Sequence, residues 1–136
     1  MRLVLDTNIF ISALLLPHSL PATLVGLWID GHFEVMSADA QIDELARVTR
    51  YPKVRERVRS AVAGRLVNQL RTRATLLTDL PTVEVSPDPY DNYLLALASV
   101  GMADYLVTGD KRDLLSLKKY DGAVIVAVTK FLEMYG

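Results

Sequence analysis

Three stretches of this chain each carry an aspartate at one end, and each has the character of a buried strand or helix. LVLD ends at Asp6, DPYDN places Asp91 at the start of an apolar helix, and DYLVTGD ends at Asp110. Strands this apolar are typical of a parallel sheet covered on both faces, and the carboxyl ends of parallel strands lie at one edge. We therefore expect the three carboxylates to converge on one crevice and to bind a metal ion there.

Predicted strands and helices alternate along the whole chain. The helices fall at 20–31, 41–48, within 53–73, at 90–100 and at the C-terminus, and the strands at 2–6, 33–37, 74–78, 103–110 and 122–128. This order predicts an α/β fold, a three-layer α/β/α sandwich around a mainly parallel sheet of about five strands with right-handed crossovers. The strand at 74–78 is expected at the sheet edge. A length of 136 residues fits a single domain spanning 1–136.

Local signals predict where several helices begin and end. Ser37 is expected to cap the helix that follows the second strand, Pro52 to end that helix, and Thr129 to cap the final one. On the basic helix after Pro52, the apolar spacing predicts an inward face formed by Val62, Leu66, Val67 and Leu70.

Each acid also has a simpler explanation as a helix cap. Asp6 and Asp110 could cap the helices that follow them, and Asp91 could complete a capping box three residues after Asp88. Capping explains why an acid is tolerated at each position, but not why acids end two strands while a third begins the intervening helix. Glu44, on the helix after the second strand, is a further candidate, and Asp43 beside it is its rival.

The charge is strongly segregated although the net charge is only −1. Residues 47–73 contain nine lysines and arginines against the single acid Glu56, so this stretch carries +8 and the rest of the chain −9. A positive surface beside an acidic site suits a polyanion held near a metal, whereas a solvated helical face is the simpler reading. The basic residues expected to contact the phosphates of such a polyanion are Arg47, Arg50, Lys53, Arg55 and Arg59.

The composition narrows the kind of site. The chain has no cysteine, which excludes disulfides and thiolate metal sites and leaves hard oxygen ligands. The apolar run IFISALLL is far shorter than the ~20 residues of a membrane span and has no cleavage site after it. We therefore expect a soluble, cytoplasmic protein without a membrane segment.

Four segments together resemble a known family. LVLDTNIFISALL, SADAQIDELARVTRYPKV, SPDPYDNYLLALA and ADYLVTGDKRDLL are similar to the ordered motifs of PIN-domain ribonucleases, particularly the VapC-type toxins of toxin–antitoxin systems. The resemblance covers nearly the whole chain. It implies hydrolysis of RNA phosphodiester bonds by a metal-activated water, with an antitoxin protein as partner and a homodimer as the assembly.

The resemblance also implies roles for particular residues. By position, the ligands of Mg²⁺ or Mn²⁺ and the catalytic acids would be Asp6, Glu44, Asp91 and Asp110. Asn8 matches a residue that orients the first aspartate, Thr108 matches a hydroxyl lining the site, and Asp113 matches an additional acid of some members. For the dimer contact, the helix LVGLWID and the C-terminal KFLEMYG are candidates, with core packing as the alternative.

Two other functions are alternatives to this one. A haloacid-dehalogenase-like phosphatase also places an aspartate after its first strand, but it needs a second one two residues later, where this chain has Asn8. A non-catalytic module that binds RNA or a partner through the same fold is the other alternative. His18 and His32 are isolated, and no phosphate-binding loop of the G-x-x-x-x-G-K type occurs.

Overall fold

The computed structural model describes residues 1–109 and 111–135. Within them a six-stranded sheet has the order β3-β2-β1-β4-β6-β5, and every pairing is parallel except that of β5 with β6. The strands are β1 (Arg2–Leu5), β2 (Glu34–Ser37), β3 (Thr75–Leu76), β4 (Tyr105–Thr108), β5 (Lys119–Tyr120) and β6 (Ala123–Ala127). The predicted edge strand is β3, and the antiparallel β5 is the strand beyond the five expected.

Helices cover both faces of the sheet. They are α1 (Thr7–Leu15), α2 (Leu20–Ile29), α3 (Asp39–Val48), α4 (Pro52–Arg55), α5 (Ser60–Arg73), α6 (Pro89–Val100), α7 (Arg112–Leu115) and α8 (Val128–Tyr135). No single helix in the described ranges is long and apolar enough to cross a membrane; α1 and α2 pass that test only as a pair, bent by 107°.

Two apolar cores lie on opposite faces of the sheet because successive side chains of a strand point to opposite sides. In β1, Leu3 and Leu5 face the core formed with α1, α2, α3, α5 and α8, whereas Val4 faces the core formed with α6 and α7. In β4, Leu106 and Val107 divide between the two cores in the same way. The predicted three-layer α/β/α fold is confirmed.

The connections create a topological switch point at the carboxyl end of β1. From β1 the chain runs to β2 and β3 on one side, and then crosses back to β4 on the other side. Ligands bind in open α/β sheets at such a switch point. Leu5 is in register with Val107, and the amide of Asp6 donates to the carbonyl of Val107 at 3.0 Å. Asp6 therefore lies beside the end of β4.

Two predicted helix caps are wrong. α3 begins after Ala38, whose side chain offers no cap, while the Ser37 hydroxyl donates instead to Oε1 of Gln41 at 2.5 Å. Thr129 lies inside α8, which already begins at Val128 because the chain turns directly from β6 into the helix. Side-chain caps are present at Asp6 for α1 and at Asp88 for α6.

The basic segment also differs from the prediction. α3 ends at Val48, and Pro52 begins the short helix α4 rather than ending α3, because proline fits the first turn of a helix. On α5, Val62 is 37% exposed and Ala63 takes a buried position beside Leu66, Val67 and Leu70. At the start of α5, the buried face therefore contains Ala63 in place of the predicted Val62.

Candidate active site

Among the described acids of the site, Asp6 accepts the most hydrogen bonds. Its side chain is 1% exposed, and three donors from different parts of the chain bind its two oxygens. Oδ1 accepts from the Asn8 amide at 3.1 Å and from the Tyr90 hydroxyl at 3.1 Å, and Oδ2 accepts from the Thr108 hydroxyl at 2.9 Å. Since a carboxylate has about four acceptor positions, Asp6 keeps capacity for one more partner.

Tyr90 joins the first turn of α6 to the end of β1. Its hydroxyl accepts from the amide of the buried Thr7 at 3.0 Å and donates to Asp6. Burial, reinforced by the charge of Asp6, raises the pKa of Tyr90, so the hydroxyl stays protonated. Tyr90 is therefore a permanent hydrogen-bond donor to the Asp6 carboxylate.

Asp91 lies in the first turn of α6 and is also 1% exposed. Its Oδ2 accepts from the Ser86 hydroxyl at 3.2 Å, and its Oδ1 lies 3.0 Å from Nζ of Lys111. Asp91 does not complete a capping box, because the Asp88 amide donates to the Ser86 hydroxyl at 3.2 Å rather than to Asp91. The N-cap of this helix is Asp88, and Asp91 points instead toward Lys111.

Lys111 supplies a positive charge within this group of acids. Nζ is 3.1 Å from Oδ2 of Asp88, in addition to its contact with Asp91, and it lies 4.7 Å from the centre of the Tyr90 ring. Burial alone would lower the pKa of Lys111, but its hydrogen bonds to Asp91 and Asp88 and their charges outweigh that effect and raise it. The ammonium group is therefore firmly charged.

Glu44 is half-buried on α3 and interacts electrostatically with charged groups of the site. Burial raises its pKa, and the charge of Asp6 adds to the effect, whereas Arg47 and Lys111 oppose it. Its rival Asp43 is exposed. Of the two neighbours, Glu44 is therefore the half-buried one, and its charge interacts with that of Asp6.

The predicted supporting residues occupy different positions. Thr108 is fully buried and donates to Asp6, whereas Asn8 contributes its backbone amide and its side chain is exposed. Asp113 is exposed on α7 and lines a cavity of about 270 Å³ together with Asp88, Asp91, Lys111 and Arg112. Asp110, predicted as the third aspartate, lies outside the described residues.

The donor set is suited to a hard divalent cation. Two buried carboxylates and a half-buried glutamate offer only oxygen ligands, which Mg²⁺ and Mn²⁺ prefer. In residues 1–109 and 111–135 no group of three or more acids or histidines is close enough to hold an ion unaided.

A groove between α3 and α5 is lined by part of the basic segment. Arg50, Arg55 and Arg71 line it, together with Ser60 and Gly64, and its volume is about 310 Å³. The other residues predicted to contact RNA, which are all exposed and do not line this groove, are Arg47, Lys53 and Arg59.

Several residues of the site were missed by sequence reasoning. Tyr90, Ser86 and Lys111 contact the acids, and Arg71 lines the basic groove. Gln41 is fully buried and its amide donates to the Leu5 carbonyl at 2.7 Å and to the Thr7 hydroxyl at 3.2 Å. Adjacency to Asp91 and Asp110 was the available signal for Tyr90 and Lys111, and a glutamine on the inward face of a helix was the signal for Gln41.

Comparison with known proteins gives one match. The family model described as PIN domain matches residues 2–112, which include Asp6, Glu44, Asp91 and Thr108. No curated protein and no solved structure matches the chain significantly. Because the match covers well over half of the sequence, this chain belongs to the PIN-domain family, whose members are generally nucleases that use divalent metal ions.

Proposed function

We propose that this protein is a metal-dependent endoribonuclease that hydrolyses RNA phosphodiester bonds with Mg²⁺ or Mn²⁺. The observation that carries the proposal is the burial of two acids, each held by hydrogen bonds: Asp6 at the switch point of the sheet, and Asp91 in the first turn of α6 beside Tyr90, which contacts Asp6. Burying two carboxylates is costly unless donors or a cation compensate their charge. Both acids are nevertheless buried and oriented by hydrogen bonds, which supports a role for them in binding an ion.

The side chains have distinct tasks in this proposal. Asp6 and Asp91 hold the ion together with Asp110, which is included on its sequence position. When bound, a divalent cation would activate the attacking water and stabilise the leaving oxygen. Tyr90 and Thr108 fix the direction of the Asp6 oxygens, and Glu44, with its raised pKa, is available to hold a water or to accept its proton.

The basic groove supports a polyanionic substrate. Arg50, Arg55 and Arg71 converge on one depression, and guanidinium groups pair well with phosphate oxygens. α3 carries Ala46, which lines this groove, and Glu44, which interacts with the charge of Asp6, so one helix joins the two regions. The choice of RNA over DNA rests on the resemblance of the four motifs to ribonucleases of this family.

The assembly and the biological role are further parts of the proposal. By the resemblance to VapC-type toxins, the protein is a cytoplasmic toxin that forms a homodimer and is held inactive by an antitoxin protein. Trp28 packs edge-on against Phe10 in the core and Phe131 is 1% exposed, so these two side chains are not available for a dimer contact. Leu20, Met134 and Tyr135 are exposed, and light scattering at micromolar concentration tests whether such surfaces pair.

A labelled-RNA assay tests the proposal. Purified protein is incubated with RNAs of mixed sequence in Mn²⁺, in Mg²⁺ and with EDTA, and internal cleavage that EDTA abolishes is the expected result. Persistent absence of cleavage, with RNA binding intact, would favour the non-catalytic module instead. No observation on the described residues favours the phosphatase.

A further inference from the structure

The side chain of Lys111 contacts Asp91, one of the proposed metal ligands. Its ammonium group is 3.0 Å from Oδ1 of the buried Asp91 and 3.1 Å from Oδ2 of the partly exposed Asp88. Asp91 and Lys111 are separated by 20 positions in the sequence, so the chain must fold to bring them together. The pair is not explained by the metal-binding role alone, because a metal ligand needs no lysine.

The two oxygens of Asp91 are each engaged by one partner. Ser86 donates to Oδ2, and Lys111 donates to Oδ1. An inner-sphere Mg²⁺ would lie about 2.0–2.1 Å from the oxygen it binds. An ammonium group 3.0 Å from that same oxygen would be in direct electrostatic conflict with the ion. A divalent ion and the ammonium group would therefore compete for this oxygen of Asp91.

If the ammonium group of Lys111 leaves Asp91, Asp88 and the Tyr90 ring can still hold it. Asp88 has 42% of its side chain exposed and already accepts a hydrogen bond from Nζ, so it can retain the lysine when Asp91 is taken. The Tyr90 ring, 4.7 Å away, favours a cation at that position. The cavity lined by these acids, by Arg112 and by Asp113 gives the side chain room to move.

We propose that Lys111 is the resident counter-ion of the metal site, neutralising Asp91 in the metal-free protein and yielding that carboxylate to the divalent ion. The inference rests on the proposed metal-binding function. It makes Lys111 a residue that sets metal affinity: the lysine stabilises the empty site and so weakens binding. Removing its charge makes the site bind metal more tightly and the metal-free protein less stable.

The test is Mn²⁺ binding by the full chain without RNA, followed by electron paramagnetic resonance of the free ion. K111M and K111Q are compared with wild type and with R112M. Arg112 lines the same cavity and is exposed, but within the described part it makes no hydrogen bond to Asp88 or Asp91. We expect both Lys111 variants to bind Mn²⁺ roughly five- to tenfold more tightly. R112M should stay within about twofold of wild type, since its charge is further from Asp91 and better screened.

Thermal unfolding gives a second measurement that does not depend on activity. Without metal, K111M should melt below wild type, and Mn²⁺ should raise its melting temperature by more than it raises that of wild type. If K111M folds only with Mn²⁺, the ion has replaced the ammonium group, as proposed. If it fails to fold even then, K111Q decides, because glutamine still donates a hydrogen bond to Asp91.

The possible failures are distinguishable. Unchanged Mn²⁺ affinity in K111M and K111Q would make Lys111 a purely structural partner and would overturn this inference. Weaker binding would also overturn it, because the lysine would then assist the site. If wild type and D91N bind Mn²⁺ equally, or if neither wild type nor K111Q binds it, the proposed metal site itself is wrong.

Discussion

The Tyr90 hydroxyl lies 3.1 Å from Oδ1 of Asp6, although 84 positions separate the two residues in the sequence. The same hydroxyl accepts the Thr7 amide, so one oxygen atom joins the start of α1, the end of β1 and the first turn of α6. Asp91 follows Tyr90 directly. The position of one buried aspartate is thus coupled to the helix that presents the other.

Replacing Tyr90 by phenylalanine should destabilise the protein by about 1–3 kcal/mol, because a buried amide and a buried carboxylate each lose a partner. Urea unfolding measures the change. Tyr93→Phe is the matched control, since the Tyr93 hydroxyl is buried and has no hydrogen-bond partner among the described residues. That variant should stay within about 0.5 kcal/mol of wild type or gain slightly. Equal losses in both variants would show that removal of a buried hydroxyl, and not the loss of its hydrogen bonds to Asp6 and Thr7, explains the effect.

The Thr108 hydroxyl is expected to orient Asp6. Thr108→Val keeps the shape of the side chain but removes the donor to Oδ2, which should cost about 1.5–3 kcal/mol and weaken Mn²⁺ binding. Thr108→Ser retains a hydroxyl and should restore most of the metal affinity. Metal titration and urea unfolding of both variants check this. Unaltered Mn²⁺ affinity in the valine variant would argue that Asp6 needs no such support.

Glu44 should make the metal-free protein less stable as the pH rises. Its pKa in the folded state is raised above the ordinary value of 4.5, so the folded protein binds this proton more tightly than the unfolded chain does. The destabilisation therefore develops as the pH rises from about 4 through the folded pKa, and it is complete above that value. Glu44→Gln should be more stable than wild type at pH 7, and the difference should vanish below about pH 4. Urea unfolding across this range would contradict the account if the two curves ran parallel.

Charge reversal at Arg50 and Arg55 should lower the affinity for RNA and make that affinity less dependent on salt concentration. Each phosphate contact on a single strand contributes about 0.7 to the slope of log affinity against log salt, so losing two contacts lowers the slope by about 1.4. Arg57→Glu changes an exposed arginine of the same segment outside the groove, and it should affect the slope much less. Equal slopes in wild type and the double variant would mark the groove as a solvated face. Loss of antitoxin binding alone would reassign these arginines to the partner.

The sequence predicted the parts of the fold that local patterns encode. Apolar strands such as β1 and β4, the alternation of helices and strands, and the Asp88 cap all follow from residue spacing and from the chemistry of one segment. Thr129 and Ser37 resemble caps equally well, but a direct turn from β6 and the competing partner Gln41 decide their roles. Such competition between neighbours is settled only by tertiary packing.

The positions of Asp6 and Asp91 in the fold were easier to predict than the residues that hydrogen-bond to them. Asp6 and Asp91 occur at the ends of predicted elements, where the parallel sheet brings them toward one edge. Tyr90 and Lys111 could not be assigned in this way, because their partners lie 84 and 20 positions away and depend on the exact approach of α6 to β1 and β4. Adjacency to a predicted acid is not enough to assign a tyrosine or a lysine to the site.

Cleavage of labelled RNA by the Asp6→Asn variant tests the central claim most directly. Asp43→Asn, an exposed acid on α3, serves as the control of equal charge change. We predict that wild type and D43N cleave RNA internally in Mn²⁺ and that EDTA abolishes this cleavage, while D6N remains folded by circular dichroism and does not cleave. Cleavage by folded D6N at the wild-type rate would contradict the assignment of this site.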